Sequence, residues 1–75
     1  MSEIIIKDRT FDIRHSIDDK NLIAYCKETR QGFIVPVCYP TEIEIISIPN
    51  IVKQREEEAI DLFIKMIEIG DLKLL

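Results

Sequence analysis

A single histidine, two cysteines and two tyrosines carry much of the reactive side-chain chemistry of this 75-residue chain. The stretch 25–39, YCKETRQGFIVPVCY, sets Tyr25-Cys26 and Cys38-Tyr39 in mirrored order about Gly32. Such thiols could close a disulfide, clip a metal or pack as small hydrophobes. In a hairpin with Thr29 opposite Phe33, Cys26 faces Pro36 and Cys38 lies diagonal to it, about 7–8 Å away between Cα atoms. A disulfide takes about 4.4–6.8 Å. Structural zinc favours close pairs such as Cys-x-x-Cys, which are absent, and the same strands aim His15 away from both thiols. Free thiols in apolar surroundings are expected, with no metal.

A small enzyme using His15 as a general base would need a pocket that joins it to Tyr25 and Tyr39. Ser16 should project to the opposite face, and no third group completes a triad. Phosphate-cradling glycine patterns are missing too, since the glycines are Gly32 and Gly70. The expectation is a chain without catalysis or cofactor. Acidic residues offer another possibility, because Glu56-Glu57-Glu58 with Glu42 and Glu44 could imitate nucleic-acid phosphates in an inhibitor. The plainer reading is a solvated first helical turn, where acids suit the positive end of the helix dipole.

The formal net charge of −4, with basic residues scattered among acids, argues against direct nucleic-acid binding. No apolar run approaches the roughly 18 residues that would span a bilayer, and no charged and apolar leader opens the chain. A cytoplasmic location is expected, where cysteines stay reduced. The length predicts a single α+β domain over 1–75, small enough to bury only about 60% of the surface of its unfolded chain. Yet 47% of the residues are hydrophobic and sixteen are isoleucine. That excess predicts burial against another chain.

Phe11, Ile13 and Ile17 alternate with Asp12, Arg14, Ser16 and Asp18, the period of a half-buried strand. A loop of Asp19, Lys20 and Asn21 would set Asp18 opposite Leu22 and lead into a strand over 22–28. The turn at 29–32, with Gly32 at positive φ, would lead into a strand over 33–39. The registers gather Phe11, Ile13, His15, Ile17, Ile23, Tyr25, Phe33, Val35, Val37 and Tyr39 on one face. Leu22, Ala24, Cys26, Ile34, Pro36 and Cys38 fall on the other. Residues 41–48 predict a further strand with a bulge near Ile45, and Ile4-Ile5-Ile6 a short strand or an extension. Pro36 has no donor to offer a neighbour, which predicts a sheet edge there. A helix should run over about 51–69, closed by Gly70, with an apolar arc wider than one sheet face would cover.

The order of strand, glycine turn, aromatic-led strand, proline and then Glu57-Glu58-Ala59-Ile60 opening an apolar helix resembles the small HicB-type antitoxins over residues 22–69. Gly32-Phe33-Ile34-Val35 matches the glycine before the strand, and Pro36 and Pro40 stand where that family has a Pro-x-x-Pro-Gly segment. The final glycine is absent here, as is the glycine usual before the helix. The resemblance implies a regulator that neutralises a small partner protein, often as an oligomer.

The expected architecture is an antiparallel meander of three to four strands with one C-terminal helix packed on one face. The expected function is a non-catalytic protein-interaction module, a homodimer that regulates or inhibits a partner protein. Its interface is assigned to Leu22, Ala24, Cys26, Ile34 and Cys38 on the sheet and to Leu62 and Ile64 on the helix, apolar positions left over once the sheet and helix are joined.

Overall fold

A computed structural model describes residues 2–74. Strands β1 (Ser2–Ile6), β2 (Arg9–His15), β3 (Asn21–Cys26) and β4 (Gly32–Pro36) form an antiparallel sheet in sequential order. A short helix α1 (Glu42–Ser47) and a long helix α2 (Ile51–Glu68) follow, and α2 lies on one face of the sheet. The α+β meander is therefore as expected, with 4–6 forming its own strand and Pro36 on an edge. No described helix is long and apolar enough to cross a membrane.

Where the registers differ, turn geometry decides. Ser16 N–H donates to the Asn21 carbonyl at 2.9 Å, so the β2–β3 loop holds four residues and His15, not Asp18, stands opposite Leu22. Local bonds shape that loop: the Ser16 hydroxyl and the Lys20 N–H both donate to Asp18 Oδ1. In the next loop Cys26 N–H donates to the Gln31 carbonyl at 2.8 Å, and Arg30 takes the left-handed conformation at φ 59. Gly32 instead pairs with Tyr25 inside the ladder. Both register changes are odd, and an odd slip turns every side chain of a strand over. Leu22, Ala24 and Cys26 thus join the core, while Ile23 and Tyr25 move to the open face. Two reversals return β4 to its predicted orientation.

The core comprises Ile6, Phe11, Ile13, Leu22, Ala24, Cys26 and Val35 from the sheet, with Phe63 and Ile67 from α2. Phe63 makes an edge contact with Phe11 at 5.5 Å and a tilted one with Phe33 at 5.7 Å. Burying each such side chain contributes about 1.5–3 kcal/mol. Both cysteines are free, Cys26 buried and Cys38 exposed.

Residues 41–48 are not a strand. The Thr41 hydroxyl accepts the Glu44 N–H at 3.3 Å, and the Glu44 carboxylate accepts the Thr41 N–H at 3.1 Å, a reciprocal cap that satisfies first-turn donors locally. A strand there would have needed ladder partners beyond Pro36 and Pro40. Asn50, at φ 59, then turns the chain into α2.

Candidate functional site

Two regions on α2 gather the residues that sequence reasoning singled out. The first is polar. Glu56, in the second turn of α2, accepts the Tyr39 hydroxyl at 2.8 Å through the same Oε2 that lies 2.9 Å from His15 Nε2. Partial burial, then the Glu56 carboxylate, pushes the Tyr39 phenol up to about 12. Tyr39 is therefore a protonated donor at neutral pH, with its proton directed at Glu56. As arranged, the three side chains fasten β2, the segment after β4, and α2. Tyr25 is not part of this group: it stands on the open face beside Asp12, Arg14 and Ile23. Arg55 adds to the fastening, donating to the Cys38 carbonyl at 3.0 Å and to Glu44 at 3.3 Å.

The acids proposed as a phosphate-like row divide between tasks. Glu44 caps α1 and meets Arg55, Glu56 meets His15 and Tyr39, and Glu57 lies 4.0 Å from Lys53. Among the described residues no group of three or more His, Cys, Asp or Glu side chains could hold a metal ion.

The second region is apolar. Between β4 and α2 runs an open groove of about 330 Å³, with Ile34, Pro36, Ala59, Leu62 and Met66 among its lining and Phe63 at its floor. Ile34 is 71% exposed and Leu62 59% exposed. Of the seven residues assigned to an interface, these two border the β4 edge from opposite sides: Leu62 faces the groove, and Ile34, paired with Ile23, projects to the open face of the sheet. Ile64 is half-buried against the core, on another side of α2, and Cys38 is exposed beyond the end of β4. Leu22, Ala24 and Cys26 are at most 3% exposed beneath α2 and present no surface to a partner. That correction follows directly from the register of β3.

Sequence reasoning missed Glu56 as a hub, and no local motif marks it. It also missed Ala59 and Met66 as the companions of Leu62. Their signal was present, since 59, 62, 66 and 69 repeat at three- and four-residue steps along one side of the helix. No family model, curated protein or solved structure matches the chain, so the HicB-like pattern rests on the residues quoted for it.

Proposed function

We propose that this chain is a non-catalytic protein-interaction module that works as a homodimer and regulates or inhibits a partner protein. The observation that carries the reading is the apolar groove between β4 and α2. Leu62 stays exposed there beside a core that already closes without it, and Ile34 stands exposed on the open face of the same edge strand. Contiguous apolar surface of this kind marks an interaction site more often than an isolated exposed leucine does. The polar cluster supports the same reading from the other direction. Its tyrosine is held protonated, and Glu56 Oε2 is shared by two intramolecular neighbours.

Light scattering over a micromolar concentration series tests the dimer. The expected result is a dimer that Leu62→Glu converts to a folded monomer. A chain that stays monomeric throughout the series overturns the reading.

A further inference from the structure

Resting on the homodimer reading, we infer that the second copy docks edge to edge on β4, in antiparallel register about a two-fold axis through Ile34. The two four-stranded sheets then become one continuous sheet with both α2 helices on the same face.

The main chain of β4 supports this pairing. Cys26 N–H donates to the Gln31 carbonyl, and Ala24 and Leu22 stand opposite Phe33 and Val35. Antiparallel ladders alternate, so Gln31, Phe33 and Val35 bond to β3 while Gly32, Ile34 and Pro36 direct their main-chain groups outward. Pro36 has a carbonyl to offer but no donor. With the axis through Ile34, the two Ile34 residues exchange both bonds, and each Gly32 N–H meets the Pro36 carbonyl of the other copy. Four bonds form, and the missing proline donor costs only a carbonyl at the end of the ladder. Centring on Phe33 would also make four bonds, but it would put Ile34 beside Gly32. Centring on Ile34 covers the 71%-exposed side chain with its own copy.

The helix supplies the rest of the interface. A stable dimer takes about 800 Å² from each partner, more than a five-residue edge strand provides. Ala59, Leu62, Met66 and Ile69 recur with the spacing of a helix-pairing seam, and Leu62 and Ile69 are 59% and 65% exposed. Glu58 and Lys65, both exposed, flank that seam. In an antiparallel helix pair Glu58 of one copy faces Lys65 of the other, so the charges are complementary twice over. The opposite edge of the sheet lacks such a companion: on β1 the outward main-chain positions are Glu3 and Ile5, and Glu3 is already paired with Lys27.

Two variants test the geometry. Ile34→Pro removes an N–H that β3 does not use, so the fold should persist by circular dichroism while the dimer dissociation constant rises at least about 10-fold. Ile34→Cys in a Cys38→Ser background places two thiols at about 5.5 Å between Cα atoms, within disulfide range. Under mild oxidation it should cross-link at least 10-fold faster than an Ile5→Cys control on β1. A dimer that survives Ile34→Pro, or equal cross-linking from both sites, overturns the β4 geometry. Loss of the dimer on Leu62→Glu would then still sustain the homodimer reading.

Discussion

Residues 52–58 of α2, after the buried Ile51 at its start, are fastened by directional bonds, whereas residues 59–68 are held by packing. In the first half Glu56 reaches His15 and Tyr39, and Arg55 reaches the Cys38 carbonyl and Glu44. In the second half Phe63 and Ile67 enter the core while Leu62 remains exposed. A hydrogen bond saturates its donor and acceptor, so the polar half closes on itself. Dispersion and apolar burial do not saturate, so the packed half can hold the sheet and still take another surface. The docking surface proposed above lies on the packed half for that reason.

The most severe way to break the contrast is Phe63→Ala. The side chain is 3% exposed and touches both Phe11 and Phe33. Its truncation should cost about 3–5 kcal/mol, a large part of the roughly 5–15 kcal/mol that holds a small domain together. Urea denaturation should show a greatly lowered midpoint or an unfolded chain. A loss below about 1 kcal/mol would mean that the second half is not what anchors α2.

Glu56→Ala should cost less, about 1–2 kcal/mol, because the groups it abandons can still reach water. The sharper measurement is a double-mutant cycle. Glu56→Ala and Tyr39→Phe should be non-additive by about 0.5 kcal/mol or more, as bonded partners are. Glu56→Ala and Leu62→Ala, which share no partner, should add. Coupling of the second pair would erase the division between the halves.

Much of this arrangement was legible in the sequence, and the failures have physical causes. Alternation at Phe11 and Ile13, the three-four spacing along α2 and the missing donor of Pro36 reflect constraints local to an element, and each located its element correctly. Strand register depends instead on how a loop closes. Ser16 and Asp18 wrap the first loop with their own side chains, and Arg30 takes the left-handed position that a glycine was expected to fill. One odd slip sufficed to send Leu22, Ala24 and Cys26 to the wrong face. The alternation at 42–46 pointed to a strand, but the Thr41-x-x-Glu44 cap was equally visible and is the stronger signal, because its bonds form without any neighbouring strand. The Glu56 hub joins residues separated by 41 and 17 positions, and only the assembled tertiary fold brings them together.

The smallest effect is expected at Tyr39, and pH isolates it. In the folded chain the phenol is raised to about 12 by burial and by the Glu56 carboxylate, above its ordinary value of 10.0. Above about pH 10 the unfolded chain gives up this proton before the folded chain does, so the unfolded state binds fewer protons and stability falls as pH rises. The contribution of Tyr39 is thus complete below pH 10 and disappears as pH climbs through about 12. The difference between the native chain and Tyr39→Phe isolates this phenol and is the quantity to follow. That difference should be constant from pH 7 to 9 and shrink steadily above 10. If it stays constant to pH 11.5, Tyr39 is not held by Glu56, and the polar half of α2 must be fastened mainly through Arg55.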